Sequence, residues 1–226
     1  MIKRTSTYDS KIFKEFTRLD KENHHSVVYF YELHEDEVLG MNLEERFVML
    51  AGYANALFEI NSFKRFCQTA DRILEISISE NIQFFNGEDI YLKTLFQKAK
   101  AHAALLDYPA AEHLASELTR LMPNHKSYYE FLFQCRVRQR PKSVKKLLNI
   151  GIILYLIGVL LIIVDVAINQ FITSVNFISP IYITLLAISV VTLLGGVLAH
   201  RFYVYWKVQQ TRSQALSIRK RRSEDR

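Results

Sequence analysis

Three groups of side chains have the types and spacing that chemistry could use. His24, His25 and His34 stand close to the acids of the run His34-Glu35-Asp36-Glu37, all metal-ligating types. A helical zinc site needs two histidines four residues apart around a glutamate, or cysteines nearby, and this stretch has neither. It reads as solvated polar surface, and neither a metal nor a cofactor is expected. Lys93, Gln97 and Lys100 are spaced by four and three, so on a helix they share one face. Such a face can hold an acidic segment or a C-terminal carboxylate through charge-assisted hydrogen bonds, and it reads equally as a solvated helix face. Asp165 is the third, an acid inside a long apolar run. A carboxylate there raises the possibility of an ion or proton relay. No second acid or base accompanies it, and Asn169 lies one turn on, so an interfacial or helix-packing carboxylate is expected.

The rest of the chain adds no catalytic constellation. There are only 7 glycines in 226 residues, and no phosphate-cradling glycine motif occurs. His102 falls at an apolar position of its helix and is expected to be a packed core histidine. Cys67 and Cys135, far apart in apolar helical surroundings, are expected to be reduced and buried. The chain is therefore not read as an enzyme.

Charge and hydropathy divide the chain sharply. Residues 1–135 hold 15 Lys and Arg against 20 Asp and Glu, a net −5, whereas 136–226 hold 14 against 3, a net +11. The basic residues gather beside apolar runs, which suits anionic lipid headgroups better than a nucleic-acid groove, and no nucleic-acid partner is expected. From Leu147 to Val164 the only strongly polar residue is Asn149, and Ile181 to Ala199 carries no charge. Each run approaches the roughly 20 residues that a helix needs to cross the hydrocarbon core. Two spans are predicted, over 147–168 and 179–200, with residues 169–180 connecting them outside the hydrocarbon. Arg136, Arg138, Arg140, Lys142, Lys145 and Lys146 precede the first span, eight Lys and Arg follow the second, and the connector has none. Positive charge marks the cytoplasmic side, so both termini are expected there, in a plasma or inner membrane, and Tyr203, Tyr205 and Trp206 read as an interface anchor. Gly151 and Gly158 share one face, and with Gly195-Gly196 they are expected to admit a neighbouring helix. The N-terminus carries no signal-peptide pattern.

Ahead of the spans, residues 42–140 are helical by period. Asn42 with Glu45 three positions later has the capping-box arrangement, and Phe47, Leu50, Ala54, Leu57 and Phe58 trace one buried face. A second helix follows a break at Asn61. The phrase then returns at an offset of 45, pairing Leu50 with Leu95, Ala54 with Ala99, Phe63 with Tyr108, Ala70 with Ala115 and Ile73 with Leu118. Residues 10–22 and 126–138 read as flanking helices, and no state is assigned to residues 24–40.

The second unit resembles a tetratricopeptide repeat. Leu95, Ala99, Tyr108, Ala111 and Pro123 match its apolar, small, turn-aromatic, small and terminal-proline positions. The first unit matches through Leu50, Ala54 and Phe63, with Phe66 where the family has a small residue. The offset of 45 exceeds the family's repeat of about 34, so roughly eleven extra residues around ISENIQFFNGE must form a linker or helix extension. The resemblance implies a concave groove lined by the first helix of each unit, at Asn55, Phe58 and Glu59 and at Lys93, Phe96, Gln97 and Lys100.

The resulting expectation is an all-α chain. Residues 1–41 form an N-terminal helix and connecting segment, 42–140 the repeat-like domain, 141–200 the transmembrane hairpin and 201–226 a basic cytoplasmic tail. Its function would be to present a protein-interaction scaffold at a membrane surface. The alternative is a small accessory subunit of a transporter or channel, with Asp165 in the active part.

Overall fold

The computed structural model describes residues 10–139, 141–171 and 179–224. The fold is all-α, with a minute hairpin as its only β structure among the described residues. Two compact units divide at Cys135, Met1–Cys135 and Arg136–Arg226.

In the first unit, α1 (Lys11–Arg18) starts at Ser10, whose hydroxyl accepts from Phe13 N–H. The unassigned stretch is helical: α2 (His24–Leu33) and the short α3 (Glu35–Leu39). Its VVYFY run suits a strand as well as a helix, and two features decide the matter. Asn23 caps the first turn through Ser26 N–H, and Val27, Val28 and Tyr31 recur on one buried face against α4 (Leu43–Glu59). Asn42 caps α4 as the sequence predicts, accepting from Glu45 N–H at 2.9 Å. The reciprocal half of the capping box is diverted, since the Glu45 carboxylate accepts from Ser10 N–H at 3.0 Å and ties α1 to the start of α4.

Helices α4, α5 (Phe63–Ser79), α6 (Ile90–Ala104) and α7 (Tyr108–Leu121) pack each against the next, and α8 (Lys126–Arg138) begins within this unit. The paired residues Leu50 and Leu95, Ala54 and Ala99, Ala70 and Ala115, and Ile73 and Leu118 are all buried, and Phe63 and Tyr108 each open the second helix of a unit. The offset of 45 extends to the backbone. Asn61 and Leu106 both have positive φ, 59° and 63°, and each is followed by the same bond back across the turn, Ser62 N–H to Leu57 C=O and Asp107 N–H to His102 C=O. This is the left-handed C-terminal cap that satisfies the last carbonyls of a helix. Asn tolerates that conformation, whereas other L-residues pay about 1–2 kcal/mol for it. Leu106 is 70 % exposed, so it has little packing to lose. Leu106→Asn should therefore raise the stability of this unit by about 1 kcal/mol, read as a higher urea midpoint.

The extra residues between the repeats divide two ways. Helix α5 runs on to Ser79, and β1 (Phe84–Phe85) pairs antiparallel with β2 (Glu88–Asp89) around Asn86-Gly87, both at positive φ. That dipeptide is a strong signal for a tight hairpin turn, and the sequence reading missed it.

The second unit contains two helices long and apolar enough to cross a membrane, α9 (Lys142–Phe171) and α10 (Ser179–Glu224). They are packed together, and helix continues into both ends of the predicted connector, of which residues 172–178 lie outside the described residues. The expected tail is likewise helical, because no Gly or Pro interrupts α10 after Gly196. Three buried residues of α9 recur every seven, Gly151, Gly158 and Asp165. A Cβ at Gly151 would lie 2.9 Å from the Leu193 side chain, and one at Gly158 would lie 3.0 Å from Leu186, whereas a Cβ at Gly195 would meet nothing within 4 Å. Three of the four expected close approaches are present, Gly196 against Leu147 being the third. Within the apolar run of α10, Thr184, Ser189 and Thr192 donate to carbonyls one turn back, which satisfies these three hydroxyls inside the helix.

Candidate partner-binding recess

The first helices of the two repeats, α4 and α6, wall a recess of about 270 Å³ in the first unit. Asn55 comes from α4, and Lys93, Thr94 and Gln97 come from consecutive turns of α6. Phe66 and Ile73 of α5 reach the floor, and α1, α2 and the β-hairpin close the sides with Phe16, Val27 and Phe85. Gly52 is part of this construction. A Cβ there would stand 2.9 Å from the tip of the Phe16 ring, so glycine lets that ring lie where it does against α4.

Among the lining residues that the sequence does not mark as site residues are two basic ones, Lys21 and His24. His24 opens α2, and its Nδ1 is buried with no hydrogen-bond partner among the described residues. With Lys93 and Lys21 on the rim and no Asp or Glu among the lining side chains, the lining is cationic and polar over an apolar floor. The recess can therefore take a carboxylate at its rim and an apolar side chain beneath. Lys93 also reaches Glu88 on β2, an ion pair that an incoming acid would have to displace.

Of the seven groove positions, Asn55, Lys93 and Gln97 meet in the recess. Phe58 instead packs edge-on against Phe63 and Phe66, with ring centroids 5.7 and 5.2 Å away. Phe96 stacks in the same manner on Tyr128 and Phe131, and Lys100 lies over the Phe96 ring at 4.3 Å. Glu59 is exposed and outside the lining. Aromatic residues on the flank of a first helix are taken up by the neighbouring helix, a competition that the repeat register does not reveal.

The walls are fixed from outside. Tyr31 and Tyr53 stack at 4.1 Å, and Tyr53 O–H donates to Glu32 at 3.1 Å while accepting from Arg65 at 3.0 Å. Arg72 meets Glu35 at 3.7 Å. These contacts hold α2 and α3 on α4 and α5, and burial followed by the Glu35 carboxylate pushes both phenols above their ordinary range. His34 pairs with Glu37 at 3.1 Å, away from the recess lining. His102 differs from its expectation. Its side chain is 22 % exposed in the last turn of α6 and lies 3.1 Å from the Asp107 carboxylate, because the helix ends two residues later and opens that position to solvent. Cys135 is buried, whereas Cys67 is half-buried with its thiol pushed up, first by that burial.

In the second unit, Asp165 is 9 % exposed and continues the line of Gly151 and Gly158, the residues that meet α10. It is also the only Asp, Glu, Lys, Arg or His between Leu147 and Ala199. Compared with protein-family models, with curated proteins and with solved structures, the chain matches none of them. The all-α architecture and the recess thus stand on the chain's own residues.

Proposed function

We propose that the protein is a membrane-anchored scaffold whose tetratricopeptide-like domain captures a protein partner at the cytoplasmic face of a membrane. In this reading α9 and α10 span the bilayer, both termini lie on the cytoplasmic side beside anionic headgroups, and the recess is the partner site. One observation carries the reading: first-helix residues of both repeats, Asn55, Lys93 and Gln97, converge on one recess that has cations and no acid in its lining. The partner's contact is an acidic segment or a C-terminal carboxylate. Anchoring confines both molecules to one surface, which raises their effective concentration without a new contact. Asp165 takes a helix-packing role here, since no second carboxylate, histidine, lysine or arginine stands in the apolar runs to exchange a proton or ion with it.

The test uses the full chain in detergent micelles with fluorescent acidic peptides that end in either a free carboxylate or an amide. Lys21→Glu with Lys93→Glu turns two attractions into two repulsions and should weaken binding by more than the roughly 0–1 kcal/mol of one exposed ion pair, tenfold or beyond. Lys100→Glu, on a residue engaged with Phe96 outside the recess, should change binding little. Equal binding by the double variant and the natural chain would remove the recess as the site.

A further inference from the structure

The β-hairpin belongs to the residues by which the repeat offset exceeds the family length, and it stands at the lip of the recess, where Phe85 and Asn86 join the lining. Phe85 is anchored edge-on to Phe47 of α4, a ring 5.5 Å away that is itself 1 % exposed. Phe85 and Glu88 are paired directly across the two strands, so their side chains leave the same face of the ribbon. The ring goes to the wall of the recess, and the carboxylate beside it reaches the Lys93 ammonium.

The two acids of β2 are used differently. Asp89 accepts from Leu92 N–H at 2.9 Å and caps α6, which satisfies an otherwise bare donor of that helix. The contact that Glu88 makes is with Lys93. Glu88 lies on β2 and Lys93 five positions later near the start of α6, so the fold of the hairpin brings them together and not a helical spacing. With 44 % of the lysine and 58 % of the glutamate side chain exposed, such a pair adds little to stability. Its consequence falls on the recess, where Lys93 is a cation of the lining and Glu88 holds it from outside that lining.

We propose that Glu88 is a built-in competitor for the recess: in the free chain it occupies the Lys93 ammonium as the partner's carboxylate does in the complex, and capture exchanges one acid for the other. The inference rests on the recess being the partner site. Because the hairpin keeps Glu88 beside Lys93, its carboxylate acts at an effective concentration on the order of millimolar, and a more dilute carboxylate does not displace it alone. The exchange goes forward when the same segment adds contacts that Glu88 does not make, to Lys21 at the rim and to Phe66 and Ile73 on the floor. The hairpin thereby sets a threshold that a lone acid does not pass and that a segment with an apolar side chain beside its acid does.

The experiment uses the full chain in detergent micelles and a fluorescent peptide that carries two glutamates beside a leucine. Glu88→Gln keeps the shape of the side chain and removes its charge. It should tighten peptide binding about two- to fivefold, the worth of one exposed ion pair. Damage to the hairpin would act in the opposite direction, because Phe85 and Asn86 belong to the lining. In the Lys93→Gln background the same change should gain less than half as much, since the cation that Glu88 occupies is gone. Unchanged or weaker binding by Glu88→Gln overturns the inference alone. An equal gain in both backgrounds also overturns it, because Glu88 would then act as a distant charge and not as an occupant of Lys93. Peptide binding that is absent, or indifferent to Lys21→Glu with Lys93→Glu, overturns the recess as the partner site and this inference with it.

Discussion

Alanine in place of Phe66 should lower the stability of the first unit by about 3–5 kcal/mol, the range for emptying a buried aromatic site. Phe66 is 1 % exposed, packs on Phe58 at 5.2 Å and forms part of the recess floor. Its partner in the second repeat is Ala111, also fully buried, so the two repeats fill the same register position with very different volumes. The small residue in the second repeat lets two helices approach, and the first repeat replaces that approach with a ring. Neighbours relax only partly around a deleted ring, so removing it leaves a cavity beneath the recess. The urea midpoint of the full chain in detergent, followed through the near-UV tyrosine signal, should fall at unchanged m value. A fall within 1 kcal/mol, of the order of an ordinary surface change, would show that this floor is not packed as described.

That residue also shows how far the sequence could be read. Phe66 stood out as a departure from the tetratricopeptide pattern, yet its consequence, a recess bounded by α1 and α2, depends on contacts between residues more than thirty positions apart. Periodicity reports which face of a helix is buried, and it identified the paired core positions and the turn at Asn61 because those are local properties. It carries no record of which distant element covers the face. Lys21 and His24 are not legible as recess residues for this reason. Glu45 is the same lesson at smaller scale, since the capping-box spacing is real and the carboxylate nevertheless goes to Ser10. The β-hairpin failed differently. Asn86-Gly87 was legible, but its strands are two residues each and show no alternation to accompany the turn.

Contacts between the two helices of the second unit predict a sharp contrast between two glycines. Leucine at Gly158 would place its Cβ 3.0–3.1 Å from Leu186 Cδ2 and Cγ, so the Leu186 side chain must give way, and the rest of the new side chain adds volume on the face that meets α10. Overpacking of this kind typically costs about 1–3 kcal/mol. The same change at Gly195 meets nothing within 4 Å, so it should be neutral or stabilising, because leucine is the better helix former. Hydropathy and glycine content are identical in the two variants, which leaves register as the only difference. Detergent-induced unfolding of the reconstituted chain, with a donor–acceptor pair on the two helices, measures it directly. If both substitutions cost the same, Leu186 does not sit over Gly158. Asp165, seven residues further along the same buried line, would then lose its packing role, and the relay reading would regain its ground.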